Sequence, residues 1–338
     1  MIQAFSRFVV VVLLVGFASG AARSQQPAEE VVADILTAGE TLLMSLDPAQ
    51  QDKLVHDFDD HKQRRRWSNL PVRSVPRGGL RMGDLSPLQK ENVYELIRAT
   101  LSPAGYQQVI DNIHGDEVLG RRGNGQFSLD EFYVSFLGEP SASKPWMWQF
   151  GGHHLAINAT ISGDQVTLSP SLTGGQPMDY TFEGRTVRQH AIEEDLAFEL
   201  IAALTPEQRG KAVLGDKYTN LNFGPTAEDI EPKQEGLCAA EMSDEQQSLL
   251  LRLIETRVAM LKPAHAEPEM ANLTAEIDQT YFSWYGGTEE GSAATFRIQG
   301  PSVLIEYAPQ SLGGNPMDHI HAMYRNPKND YGAAIVGE

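Results

Sequence analysis

The chain has 338 residues, 41% of them hydrophobic, with one cysteine and a formal net charge of −18 at pH 7. That length buries a full core and leaves room for two domains. The acidic balance makes nucleic acid and anionic membrane surfaces poor partners, and a lone Cys238 forms no intramolecular disulfide in any compartment.

Residues 1–24 read as a secretory signal. Arg7 supplies a positive start, Phe8 to Phe17 is an apolar run too short to span a bilayer, and small residues follow, with cleavage expected after Gly20 or Ser24. The expectation is an exported protein, periplasmic or extracellular, with no membrane insertion after signal removal. No later stretch is long and apolar enough for a span. Losing Arg7 and Arg23 takes the net charge to about −20.

Residues 27–46 predict a leading helix. Four further helix starts share one signature, a capping residue with Gln three positions on: Asp47-Pro-Ala-Gln50, Ser86-Pro-Leu-Gln89, Thr205-Pro-Glu-Gln208 and Ser243-Asp-Glu-Gln246. The cap oxygen takes an orphan N–H, the Gln reaches back, and Pro at the first helical position gives up a donor with no partner anyway. The starts lie 39 residues apart in the first pair and 38 in the second. The approaches to the second helix also match, Gly79-Leu-Arg-Met82 against Gly236-Leu-Cys-Ala239. Trp148 precedes Gly151-Gly152 as Trp284 precedes Gly286-Gly287, and Gly-Gly-x-Pro-Met-Asp ends at Asp179 and again at Asp318.

This ordered series predicts an internal duplication, residues 25–195 and 196–338, packed as one unit. Alternating residues 155–161 and 166–168, and 294–298 and 303–305, read as antiparallel hairpins around short turns. The fold class expected is α+β, with each half made of helices followed by a small antiparallel sheet. The first copy is longer between second helix and first strand, where an extra connection is expected around His114 to Gly125.

The second Pro-Met-Asp runs into His319-Ile-His321, whereas the first runs into Tyr180 and Phe182. Residues i and i+2 of a strand share a face, so His319 and His321 can reach one cation. His153 and His154 follow Gly151-Gly152, where a bulge would let one or both join the same site. Neutral imidazoles suit a divalent transition metal, Zn, Cu or Fe alike. Two plainer readings stand beside this one, hydrogen-bonded histidines of a polar core and a metal-free catalytic histidine. Tyr324 is a candidate proton or hydrogen-bond donor, and Arg325 a candidate holder of an anionic group.

Lys62 to Arg81 carries seven cations and no acid. Guanidinium forks bind carboxylate or phosphate, so Arg66, Arg81 and Arg325 are candidates for a small anionic ligand. Pairing with the chain's own carboxylates is the plainer reading. A non-catalytic binder of such a ligand is therefore the rival to a metal-dependent hydrolase or oxidase. The acidic run Glu193-Glu194-Asp195 reads as solvated surface. Elbow, zincin, phosphate-loop and dinucleotide motifs are absent.

Trp148-Gln-Phe-Gly-Gly-His-His-Leu155, with His319-Ile-His-Ala-Met-Tyr-Arg-Asn-Pro-Lys-Asn-Asp-Tyr-Gly332, resembles the bacterial family known as domain of unknown function 3500. The similarity runs from about Ala33 to Gly332. The resemblance implies an exported bacterial protein with His153, His154, His321, Tyr324 and Arg325 in the family's recognisable motifs. It implies no particular activity.

Overall fold

The structure is a computed structural model describing residues 26–123, 126–225, 227, 232–312 and 314–337; the expected signal lies outside them. The first half runs α1 (Ala28–Met44), α2 (Pro48–Leu54), β1 (Val55–His56), α3 (His61–Arg64), β2 (Leu80–Arg81), α4 (Pro87–Thr100) and α5 (Pro103–Arg122). Strands β3 (Tyr133–Leu137), β4 (Trp146–Gly151), β5 (Leu155–Ser162), β6 (Gln165–Thr167), β7 (Ser171–Gly175), β8 (Asp179–Phe182) and β9 (Arg185–Arg188) complete it. The second half has α6 (Ala191–Ala203), α7 (Pro206–Ala212), β10 (Val213–Gly215), β11 (Leu237–Cys238), α8 (Asp244–Val258) and α9 (Pro263–Ala275). It ends with β12 (Tyr281–Gly286), β13 (Ala294–Gln299), β14 (Leu304–Pro309), β15 (Ile320–Arg325) and the short α10 (Ala333–Val336).

All four expected caps form as reciprocal boxes, at Asp47/Gln50, Ser86/Gln89, Thr205/Gln208 and Ser243/Gln246. Each capping Gln also pairs with its counterpart one helix away. Gln89 Nε2 donates to Gln50 Oε1, and Gln246 Nε2 to Gln208 Oε1, both at 2.9 Å. The leading helix and both hairpins stand where the sequence places them.

The fold is mixed α+β, but the strands do not form two small antiparallel sheets. Thirteen of them form one mixed sheet with the central order β1-β3-β4-β5-β7-β15-β14-β13-β12-β10, and β8 and β9 pair separately. Its parallel pairs are β1 with β3 and β10 with β12. The join is β7 against β15, antiparallel, with Gly174 opposite His321. Each of these strands would otherwise be an exposed edge, and pairing satisfies both rows of backbone groups.

One face of the sheet is apolar and packs on the helices. Trp148, Ile157, Phe296 and Ile305 from the strands join Val31, Ile35, Leu96 and Leu253 in a single core. The opposite face is more polar and lies under irregular chain. There Gln149 donates to Asn158 at 2.8 Å and to the Arg64 carbonyl at 2.9 Å. On the same face of the second half, Arg297 bonds Glu306, whose other oxygen accepts from the Asn222 and Phe223 N–H groups.

Several details differ from the sequence reading. Trp148 lies on β4, between β3 and β5, whereas Trp284 lies on β12, between β10 and β13, so they do not occupy matching places. Asp179 opens β8 while Asp318 ends a 3-10 turn, Pro316–Asp318. Most of the expected connection at His114 to Gly125 is the last part of α5. Residue 195, the expected division, falls inside α6. Cys238 is half-buried.

Candidate metal centre

Three strands meet at Gly174. Its N–H donates to the His154 carbonyl at 2.7 Å on one side, and it faces His321 in the ladder on the other. His154 and His321 are thus two strand spacings apart, about 9.6 Å between backbones. The missing side chain between them gives their rings room to lean together. A Cβ on Gly174 would lie 2.9 Å from His321 Cδ2 and 2.8 Å from the Ile320 carbonyl.

The Nε2 atoms of His154 and His319 are 3.1 Å apart, and those of His319 and His321 3.2 Å. All three residues are buried. The i, i+2 expectation for His319 and His321 is met, since the extended backbone at His319 leads directly into β15. His153 and His154 lie in the bend between β4 and β5, where strand alternation does not apply. Their rings are in contact, tilted by 34° with centroids 3.6 Å apart, and His153 stacks on Phe127.

Behind this group stands Asp116, on the buried side of α5. Its Oδ1 accepts from His154 Nδ1 at 2.8 Å and is 3.3 Å from His153 Nδ1. Burial works against its charge, yet His154 and His153 outweigh that and hold the carboxyl well below the usual range. His319 Nδ1 lies 2.5 Å from the Leu312 carbonyl. A carboxylate and a carbonyl only accept, so both imidazoles carry their proton on Nδ1 and present a bare lone pair at Nε2.

Burial, then His153, draws the His154 pKa down to about 3 despite Asp116. Burial pushes His321 well below its ordinary value, with His154 adding to the effect, and lowers His319 too. These are neutral imidazoles, the ligand form. Two lone pairs facing at 3.1 Å repel unless a cation lies between them. His321 Nδ1 contacts Asn69 Nδ2 at 3.0 Å. An amide carbonyl turned to this position would accept from Nδ1–H and free the third Nε2.

The remaining candidates lie elsewhere. Tyr324 points to the helix-covered face, where its hydroxyl donates to Glu269 at 3.2 Å. Arg325 shares the face of His321 but is four residues along the strand, about 13 Å. It bonds Asp330 and the Phe223 and Gly224 carbonyls. Arg81 pairs with Glu131 and Asp84, and Arg66 donates to the Pro76 carbonyl. Arg81 and Arg325 are five strand spacings apart, about 24 Å, so the three arginines do not converge. Arg77 is half-buried and donates to backbone carbonyls, including Gly152 at 2.6 Å, which pins the loop carrying Asn69 beside the histidines.

Asp116 and Asn69 were not among the sequence candidates. Asp116 had a legible signal, a carboxylate on the helical stripe of Val109, Ile113 and Gly120, all buried. Asn69 had none. Glu193, expected at the surface, is buried and bonded to His190 and Arg257, while Glu194 and Asp195 bond Arg188 outside.

Fold and site thus define an α+β protein whose sheet brings three buried imidazole nitrogens from both halves of the chain together. No curated protein and no solved structure matches it. The chain belongs to the family described as protein of unknown function (DUF3500), whose model matches residues 28–333.

Proposed function

We propose that this is an exported metalloprotein holding one divalent transition ion on Nε2 of His154, His319 and His321. The observation carrying the proposal is the lone-pair arrangement. Neutral Nε2 atoms converge at 3.1 and 3.2 Å while acceptors occupy Nδ1 of His154 and His319. Ligand nitrogens on a tetrahedral ion with ~2.0–2.1 Å bonds stand about 3.3 Å apart, so the spacing fits with little movement. Three protein ligands leave one position for water or substrate, the pattern of catalytic sites.

Such an ion supplies Lewis acidity or lowers the pKa of bound water toward ~7, which suits hydrolysis with zinc and oxidation with copper or iron. The chain's own contribution is orientation. Asp116 holds the His154 tautomer, the Leu312 carbonyl holds His319, and Asn69, whose Nδ2 now faces His321 Nδ1, would hold His321 once its amide is turned. We place His153 outside the ligand set, as the brace of Asp116. The anionic-ligand reading has less support, because Arg81 and Arg325 already serve carboxylates of the chain.

Elemental analysis after expression with added Zn, Cu or Fe tests the proposal. One equivalent is expected in wild type and none in His319→Ala/His321→Ala. Folded wild type without stoichiometric metal removes it. Fractionation and the mass of the exported form test localisation: a cytoplasmic protein with residues 1–24 intact would end that part.

We also propose that the halves arose by duplication, with correspondences set by topology. Strands β3, β4 and β5 then match β12, β13 and β14, so Trp148 answers to Phe296 and Gln149–Asn158 to Arg297–Glu306. Gly79 and Gly236 support this. Each has positive φ, and a Cβ there would strike a carbonyl of the neighbouring strand, Val134 at 2.0 Å and Phe282 at 2.2 Å. An experimental structure in which β3–β5 does not superpose on β12–β14 would refute it.

A further inference from the structure

On the helix-covered side of the sheet, the α8–α9 corner, the β5–β6 hairpin and β15 enclose a cavity of about 330 Å³. That is the lower end of the range for small-ligand sites. Its apolar part comes from Val166, Leu168, Val258 and Leu261. Its polar part includes Arg257, which stands on α8 and is only 2% exposed. Arg257 Nη1 donates to Glu193 at 3.0 Å and to Thr173 at 2.6 Å. Its Nε and Nη2 are buried and have no partner among the described residues.

Those two nitrogens form one edge of the guanidinium, where a pair of N–H bonds runs parallel, the fork that takes both oxygens of a carboxylate. Buried N–H groups without an acceptor are rare. Glu193 does not use this edge, because its other oxygen is bonded to His190. His265 Nε2 is a second buried polar atom of the lining with no partner among the described residues. Burial lowers the pKa of this imidazole, and with the proton of its neutral form on Nε2 it is one more donor. Two carboxylates also line the cavity. Asp164 is exposed, and Glu269 is half-buried and accepts from Tyr324 at 3.2 Å and Asn326 at 2.9 Å, so water and donors already answer their charges.

We propose that the cavity binds a small monocarboxylate with a short apolar body, its two oxygens on Arg257 Nε and Nη2 and its chain against the apolar lining. His265 is a further donor of the site. None of Arg66, Arg81 and Arg325 lines the cavity, so this is not the cationic stretch noted in the sequence. The site is also separate from the imidazole centre. Tyr324, which lines it, and His321 are an odd number of residues apart on β15 and so face opposite sides of the sheet.

Calorimetric titration of the full chain with sodium n-butyrate tests this, with n-butanol, n-butylammonium and formate as controls, before and after chelation. Wild type is expected to bind butyrate at least about tenfold more tightly than any control, and chelation should leave that affinity unchanged, which separates this site from a carboxylate held by a metal. Arg257→Lys keeps a positive charge for Glu193 but has no fork, and it should lose at least about tenfold in affinity, ~1.4 kcal/mol. Ala264→Trp, which fills the cavity from α9, should abolish binding, and it decides the matter if Arg257→Lys does not fold. No binding by wild type would leave the Arg257 donors to water and overturn the proposal. So would equal binding of butanol, butylammonium or formate, equal binding by Arg257→Lys or Ala264→Trp, or loss of binding on chelation.

Discussion

At the scale of single residues, Gly174 and Asp116 control the imidazole centre without being ligands. Gly174→Ala puts a methyl 2.8 Å from a backbone carbonyl, which has no rotamer by which to move aside. The variant should fold yet hold zinc more weakly, as read by competition with a chromogenic chelator. Unchanged affinity would show that the rings need no room there. Asp116→Asn keeps an acceptor for His154 but removes the charge that raises its basicity. The expected cost is ~10–100-fold in metal affinity, the usual size for such a partner. Both glycine and aspartate were visible in the sequence, one in a repeated motif and one on an apolar stripe. Their roles were not, because each depends on which strand or turn comes alongside.

Among elements, α6, α8 and β7 are tied by a buried polar contact rather than by apolar packing alone. Glu193 on α6 bonds His190 and Arg257, and Arg257 on α8 reaches Thr173 on β7. Arg257→Met leaves Glu193 buried with a histidine only and should destabilise the fold by ~3–5 kcal/mol in urea melts. Adding Glu193→Gln should recover part of that loss, since the stranded charge is gone. A double variant as unstable as the sum of the singles would refute the coupling. By contrast, the exposed cap Ser86→Ala should cost only ~1 kcal/mol. The caps were legible because they are local, four residues reading one backbone turn. The Glu193 contact was not, because Arg257 lies 64 residues from Glu193 and 84 from Thr173.

For the whole molecule, pH dependence follows from the same carboxylate. Burial alone would raise the Glu193 pKa, but His190 and Arg257 prevail and hold it at about 2, against an ordinary 4.5. A depressed folded pKa contributes stability that is fully present above 4.5 and is lost as pH falls toward about 2. The contribution is on the order of 3 kcal/mol. Wild type should therefore lose urea resistance across that window, and Glu193→Gln should lose measurably less. Metal would have a global effect as well, because its proposed ligands come from the start of β15 with the residue before it and from the turn before β5. Zinc at 100 times its dissociation constant should raise the stability of the entire chain by ~2.7 kcal/mol, seen as one cooperative shift. A shift confined to part of the unfolding curve would show the halves to be independent.

The sequence by itself determined the local and periodic features: the capped helix starts, the hairpins, the α+β class and the shared face of His319 and His321. These rest on hydrogen bonds and alternation within a few residues. It also marked His153 and His154, through the glycines beside them. The tertiary structure decided the rest. Pairing of β7 with β15 merged two expected sheets into one and carried His154 to His319 across 165 residues of chain. Arginines that looked like a ligand site in one dimension found carboxylates and carbonyls in three. No pattern of spacing encodes such meetings, because they depend on which edges a packed core leaves to be satisfied.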